Sequence, residues 1–133
     1  MARILALDHG SARCGCAISD PSGTLATPLD AVERPDSKRG LAAVVRMVEE
    51  HAPARVVVGL PLTLKGEEGE QAAAARTFAE RLERRLNIPV ELHDERLTTR
   101  LAERTGGLEN ADSRAAAHLL ESYLARPSAG SRR

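Results

Sequence analysis

The fold is decided by an apolar run that ends in an acid and a turn, Ile4-Leu5-Ala6-Leu7-Asp8-His9-Gly10-Ser11. Consecutive apolar residues followed by turn formers are typical of a short strand that is buried on both faces. A second run of this kind, Arg55-Val56-Val57-Val58-Gly59, follows Pro53. Strands buried on both faces lie inside sheets that helices cover, so the sequence predicts an α/β fold.

The elements around these two runs alternate in a recognisable order. In chain order we expect strands over 3–8, 13–19 and about 24–33, a helix after Asp36 or Ser37, a strand over 55–59, a helix over about 70–86, a strand over 88–94, and helices over about 98–104 and 111–125. Pro28 lacks a ladder donor, which predicts an edge position for the third strand. The order predicts a five-stranded mixed sheet with helices on both faces, and right-handed crossovers place strand 55–59 beside strand 3–8.

Length and composition limit the classes of function. The 133 residues predict one domain over 1–126 and a disordered polar tail over 127–133. The chain has 19 Lys and Arg against 19 Asp and Glu, and it has one Phe, one Tyr and no Trp. It therefore lacks both a global basic field and an aromatic platform for bases, so any nucleic-acid contact should run through phosphates. The N-terminal apolar run is too short for a signal peptide or a membrane span, and we expect a cytoplasmic protein.

Acidic residues stand where the predicted elements begin or end: Asp8, Glu95 beside Asp94, and Asp112. The carboxyl ends of parallel strands share one edge of a sheet, and the start of the last helix can reach that edge. Carboxylates gathered there repel one another unless divalent cations neutralise them. The pattern suits two-metal phosphodiester chemistry, in which ions about 3.5–4 Å apart clamp the attacking and leaving oxygens. We therefore predict a metal-dependent nuclease that uses two Mg²⁺ or Mn²⁺ ions.

Each acid also has a simpler structural explanation. Asp8 is placed to accept turn hydrogen bonds from Gly10 or Ser11, and Asp112 is placed to cap the last helix. Asp94 and Glu95 alternate in direction on a strand, so only one of them is expected to reach the site.

Basic residues near the predicted site are candidate phosphate contacts: Arg13, Lys65, Arg96 and Arg100. Arg96 and Arg100 are spaced, with Arg104, to share one helix face, which is either a phosphate-contacting ridge or a solvated, salt-bridged face. His9 follows Asp8 and is either a contact to a substrate phosphate or a solvated loop histidine.

Four segments, taken in order, carry a family resemblance: Leu7-Asp8-His9-Gly10-Ser11, Val57-Val58-Gly59-Leu60-Pro61-Leu62, His93-Asp94-Glu95-Arg96-Leu97-Thr98-Thr99, and Asp112 onward through Leu119-Leu120-Glu121-Ser122-Tyr123-Leu124. Over about residues 3–125 the chain resembles the small bacterial YqgF-type proteins. These have an RNase H-like fold and are described as Holliday junction resolvases and as nucleases that mature the 5′ end of pre-16S rRNA.

The resemblance implies that Asp8, Glu95 and Asp112 are the metal-binding catalytic carboxylates. It implies a nucleic-acid partner, with pre-16S rRNA ranked before branched DNA. The protein is expected to be a monomer or a homodimer, and junction resolution would require a symmetric dimer.

The chain departs from the family pattern at two places that affect its charge. It has Ala12-Arg13 where the family commonly has a lysine–arginine pair, and its segment between Thr99 and Asp112 is shorter and less basic. Two other functions stay open. One is a nucleotide-binding module, because the turn after Asp8 also resembles the phosphate loop of the sugar-kinase and actin fold. The other is a non-catalytic RNA-binding protein that keeps the nuclease fold.

Overall fold

The computed structural model describes residues 3–95 and 111–126, the side chains of residues 111 and 112 excepted. In chain order its elements are β1 (Ile4–Asp8), β2 (Arg13–Ser19), β3 (Ala26–Glu33), α1 (Lys38–His51), β4 (Arg55–Leu60), α2 (Glu70–Arg85), β5 (Val90–Asp94) and α3 (Ala111–Ala125). The helix predicted over 98–104 lies outside the described residues. Within the described part of the chain, no helix has the length and apolar character needed to cross a lipid bilayer.

The strands form one mixed sheet in the order β3-β2-β1-β4-β5. β2 is antiparallel to both β1 and β3, while β4 is parallel to both β1 and β5. The parallel pairs arise because α1 connects β3 to β4 and α2 connects β4 to β5. The predicted five-stranded mixed sheet, the neighbouring positions of β1 and β4, and the edge position of the strand with Pro28 are confirmed.

Side chains of the central strands alternate between two separate hydrophobic cores, one on each face of the sheet. Leu5 and Leu7 of β1 pack in a core with apolar residues of α1 and α2, including Phe78. Ala6, between them, faces the opposite core, which Leu119 and other residues of α3 complete. Side chains along a strand alternate in direction. Asp8, the last residue of β1 and two positions after Ala6, therefore also faces α3.

The start of α1 is held tightly against the loop that precedes it. Ser37 is the N-cap, since its Oγ accepts the Gly40 N–H at 2.9 Å and donates to the Arg34 carbonyl at 2.7 Å. A Cβ on Gly40 would lie 1.8 Å from the Arg34 carbonyl oxygen. Glycine at this position therefore allows a close approach of loop and helix. The Arg34 N–H also donates to the Ala12 carbonyl, which holds the loop at the edge of the sheet where β1 ends.

Candidate active site

The carboxyl ends of β1, β4 and β5 meet at one edge of the sheet. Leu7 of β1 is in register with Val58 of β4, and Leu60 of β4 is in register with Asp94 of β5. Glu95 follows β5 directly, and its backbone N–H donates to the Leu60 carbonyl at 3.3 Å. The edge predicted to carry the site therefore brings the ends of all three parallel strands together.

Asp8 and Glu95 form a carboxyl pair at this edge. Burial, the charge of Asp8 and a hydrogen bond with Asp8 together raise the pKa of Glu95 from 4.5 to about 8, and Asp94 adds to the effect. Two carboxyls this close in a poorly solvated site do not both ionise readily. Without a cation the pair therefore keeps a proton at neutral pH. Glu95, directly after β5, therefore lies within hydrogen-bond distance of Asp8 at the end of β1.

Gly59 makes the space that Glu95 occupies. A Cβ on Gly59 would lie 2.0 Å from Glu95 Oε2 and 3.1 Å from Cδ2 of Leu119 in α3. The Glu95 side chain therefore passes over the bare backbone of β4, on the side of the sheet that α3 covers. Any larger residue at position 59 would compete with the carboxylate for this space.

The third predicted acid, Asp112, lies in the first turn of α3, and its side chain lies outside the described residues. The following residue, Ser113, is 1% exposed, and its Oγ accepts the Cys16 N–H at 3.3 Å. The ladder between β2 and β3 shifts register between Cys14 and Cys16, as at a β-bulge, which makes this N–H available. Because Gly15 of β2 pairs with Asp8, this bond fixes the start of α3 beside the strand pair that carries Asp8.

Sequence reasoning missed Ser113. The available signal was a small polar residue directly after Asp112, at the start of an otherwise apolar helix face. Such a residue is expected to find a hydrogen-bond partner when it is buried.

His9 is held in place by two neighbours. Its side chain is 3% exposed, its Nε2 lies 2.9 Å from Asp36 Oδ1, and its ring centroid lies 4.8 Å from that of Phe78. The solvated alternative for His9 is therefore wrong. The ring ties the turn after β1 to the loop before α1, while a contact between His9 and substrate stays a prediction.

The other predicted phosphate contacts fall into two groups. Arg13, at the start of β2, and Lys65, between β4 and α2, are exposed at the site edge of the sheet. Arg96 and Arg100 lie outside the described residues. Three further exposed cations lie at this edge because β3 ends and α1 begins there, and sequence reasoning did not select them: Arg34, Lys38 and Arg39.

Two adjoining cavities open beside the carboxyl pair. One, of about 470 Å³, is bordered by Asp8, His9 and Glu95 on one side and by the start of α2 on the other. The second, of about 570 Å³, is bordered by Glu95 and by residues 61–63. Because Glu95 and Pro61 border both cavities, the two form one concave face around the carboxylates.

Asp8 and Glu95 are two of the three residues that the sequence predicts to bind metal. Among the residues whose side chains are described, no group of three or more His, Cys, Asp or Glu is placed to hold a metal ion. The side chain of Asp112 lies outside those residues. Metal binding by Asp8, Glu95 and Asp112 together stays a prediction. The structure describes the side chains of Asp8 and Glu95.

The chain is similar to a known family and to named bacterial proteins. A family model described as "RuvX: Holliday junction resolvase" matches residues 2–126. A Chloroflexus aurantiacus protein named "Putative pre-16S rRNA nuclease" is 45% identical over 130 residues, which cover 91% of this chain and 85% of the relative. A Rhodococcus erythropolis protein of the same name is 42% identical over 137 residues, covering 92% of this chain and 77% of the relative.

A solved structure shows the same fold. The structure titled "T. thermophilus RuvC in complex with Holliday junction substrate" matches with a TM-score of 0.60 and 17% identity, covering 95% of this chain and 96% of that chain. This likeness confirms the RNase H-like architecture. Together with the family match over nearly the whole chain, it confirms the YqgF-type resemblance of the four sequence segments: the chain belongs to the RuvX family.

Proposed function

We propose that this protein is a metal-dependent nuclease that cuts the ribosomal RNA precursor to mature the 5′ end of 16S rRNA. The observation that carries the proposal is the Asp8–Glu95 carboxyl pair, set in a concave face at the carboxyl ends of three parallel strands. The names of the relatives support pre-16S rRNA as the substrate. A role in ribosome maturation corresponds to a cytoplasmic location.

The chemistry of the carboxyl pair suits a divalent cation. A bound cation would neutralise the repulsion, and offset the desolvation, that together raise the pKa of Glu95. Carboxylate oxygens are hard ligands of the kind that Mg²⁺ and Mn²⁺ take. Asp8, Glu95 and Asp112 would hold the metal, as one or two ions. When bound, the metal supplies activation of the attacking water and charge neutralisation at the phosphate.

The protein's own residues position the substrate. Gly59 leaves room for Glu95 beside Asp8, and the bond between Ser113 and Cys16 sets the start of α3 against the same edge. Exposed cations around the concave face contact phosphates on either side of the cut: Arg13, Arg34, Lys38 and Lys65, together with the predicted Arg96 and Arg100. Because these contacts are ionic, binding is expected to weaken steeply with salt.

Holliday junction resolution is the second candidate, and the description of the family model favours it. Resolution cuts two strands at symmetric positions, so it requires two active sites in a symmetric dimer. Cleavage of ribosomal RNA has no such requirement. A monomer under cleavage conditions would therefore contradict junction resolution, whereas a dimer is compatible with both substrates.

The test is cleavage of an end-labelled pre-16S rRNA leader and of a four-way DNA junction, side by side, with Mg²⁺, with Mn²⁺ and with EDTA. We expect cation-dependent cutting of the leader near the 5′ end of 16S rRNA, with no symmetric nicking of the junction. An unrelated RNA of the same length controls for general degradation. Symmetric junction cutting without leader cutting would make the second candidate correct, and binding without cutting would indicate a non-catalytic protein.

A further inference from the structure

The segment between β4 and α2 forms a short hairpin, which we call the site hairpin (residues 62–68). Leu62 and Glu68 form an antiparallel bridge, and the Thr63 N–H donates to the Glu67 carbonyl at 2.9 Å. The Gly66 N–H donates to the Thr63 carbonyl at 2.8 Å, and Thr63 Oγ1 accepts the Glu67 N–H at 3.1 Å. The backbone on both sides of the tip, Leu64-Lys65, is therefore held by hydrogen bonds.

The site hairpin is anchored to the catalytic face at its base. Glu68 forms an ion pair with Arg76 of α2, which fixes the returning arm. Leu62 and Thr63 of the outgoing arm border the cavity of about 570 Å³ that Glu95 also borders. One arm of the hairpin is therefore a wall of the active-site face, and its tip projects from the rim.

The tip presents a large apolar side chain next to a cation. Leu64 is 82% exposed, and Lys65 beside it is exposed. Single exposed apolar residues are common on protein surfaces and by themselves indicate nothing. This one differs because it stands on a hydrogen-bonded tip at the rim of the catalytic face.

We propose that the site hairpin separates bases of the substrate strand beside the cut. Leu64 packs against an unstacked base, and Lys65 contacts a neighbouring phosphate. The inference rests on the proposed nuclease function and adds to it a preference for substrates with an openable base step next to the cleaved phosphate. Leucine is one of the side chains that proteins insert between base steps. The chain has one Phe, one Tyr and no Trp, so an aliphatic side chain has to do this. We call the Leu64 side chain in this role the wedge.

The chain contains a matched control for this inference. Leu25 is 66% exposed and lies between β2 and β3, at the opposite edge of the sheet from the site. Substituting it removes a similar exposed apolar side chain from a surface that the substrate does not reach. Leu25→Ser therefore controls for loss of surface hydrophobicity, while Leu64→Ser removes the wedge. Both variants are checked for folding by circular dichroism and thermal unfolding.

The experiment uses pre-16S leader RNA with 2-aminopurine next to the cleavage position mapped with wild-type protein. Binding is followed by anisotropy and base unstacking by 2-aminopurine fluorescence, in full-length protein carrying Asp8→Asn so that the RNA stays intact. We expect binding to raise the fluorescence, Leu64→Ser to abolish the rise, and Leu25→Ser to preserve it. In the catalytically intact background, Leu64→Ser should slow cleavage of a leader paired at this step by roughly tenfold, because the leucine no longer offsets the cost of unstacking that step. The same variant should cut a leader that is unpaired at this step within about twofold of the wild-type rate, because unpaired bases separate more easily.

The outcomes separate the two claims. If Leu64→Ser and Leu25→Ser behave alike in fluorescence and cleavage while the wild type cuts the leader, the wedge is wrong and the nuclease stands. If the wild type neither binds nor cuts leader RNA or junction DNA, both the wedge and the proposed function are wrong.

Discussion

The backbone of Gly59 lies directly against the carboxylate of Glu95, since a Cβ on Gly59 would come within 2.0 Å of Glu95 Oε2. Gly59→Ala is therefore predicted to displace the Glu95 carboxylate without removing it. The end of a glutamate side chain moves easily, so folding should survive. We expect single-turnover cleavage to fall by on the order of tenfold to a hundredfold, because misplacement of a catalytic group by about 1 Å has effects of this size.

A second glycine at the same edge gives the control. Gly69 is the N-cap of α2, and a Cβ there would meet nothing within 4 Å. Gly69→Ala should therefore cleave at close to the wild-type rate. Equal rates for the two alanine variants would show that the position of Glu95 does not limit the reaction.

The stability of the metal-free protein is predicted to fall as the pH rises from 7 to 9. The pKa of Glu95 is about 8 in the folded protein against 4.5 as its ordinary value, so the folded state holds a proton that the unfolded state has released. Stability therefore declines from the unfolded-state pKa until the pH has passed the folded-state pKa, by about 1.4 kcal/mol between pH 7 and pH 9. The pKa of His93 is lowered by burial and by the charge of Arg126. The change in stability that comes from His93 therefore takes place below about pH 7.

Urea unfolding in EDTA at pH 7, 8 and 9 measures this effect. Glu95→Gln, which cannot ionise, should lose the part of the pH dependence that comes from Glu95. Mg²⁺ should recover the stability of wild type at pH 9 and have less effect on Glu95→Gln. A wild-type protein and a Glu95→Gln variant with the same pH dependence would contradict the close approach of Asp8 and Glu95.

Removing the Ser113 hydroxyl is predicted to affect both stability and cleavage. The buried Cys16 N–H loses its acceptor in Ser113→Ala, which should destabilise the protein by about 1–3 kcal/mol. Cleavage should fall as well, because the same bond fixes the first turn of α3, where Asp112 lies. Ser122→Ala is the control, since Ser122 lies near the other end of α3 and bonds His93 at 3.1 Å. A loss of stability in both variants with no loss of activity in either would limit Ser113 to folding.

Much of this architecture was readable from the sequence because it depends on local patterns. Apolar runs bounded by turn formers marked β1 and β4, and Pro28 marked an edge strand. Alternation along β5 gives the further prediction, still to be tested, that only one of Asp94 and Glu95 reaches the site. These are properties of single elements, and the chirality of crossovers then limits how the elements assemble.

The rest depends on contacts between elements that are distant in sequence. His9 is buried because Asp36 and Phe78 converge on its ring, and no local pattern around His9 indicates this. Gly40 shows a conflict between levels: helix propensity disfavours glycine in the first turn of α1, but the Arg34 carbonyl oxygen leaves no room for a side chain there. The space that Gly59 leaves for Glu95 likewise exists only once β4, β5 and α3 are packed together.

The salt dependence of RNA binding is predicted to depend on cations at the site edge. Arg34 and Lys38 are exposed there, whereas Arg84 and Arg85, also exposed, end α2 at the opposite edge. In the Asp8→Asn background, the double variant Arg34→Gln/Lys38→Gln should lower the slope of log K against log salt by about 1–2, since each phosphate contact contributes about 0.7–0.9. Arg84→Gln/Arg85→Gln removes the same charge and should leave the slope nearly unchanged. Equal changes in the two double variants would indicate a general charge effect.

The most direct test of the central claim is the single-turnover rate at which saturating protein cuts pre-16S leader RNA in Mg²⁺, compared among wild type, Asp8→Asn and Asp30→Asn. Asp30 is an exposed acid on the edge strand β3, so its variant makes the same chemical change away from the site. We predict that Asp8→Asn lowers the rate by about a hundredfold or more, as expected for loss of a principal electrostatic group, while Asp30→Asn cuts like wild type. Cleavage by Asp8→Asn at the wild-type rate would contradict the assignment of the carboxyl pair as the catalytic centre.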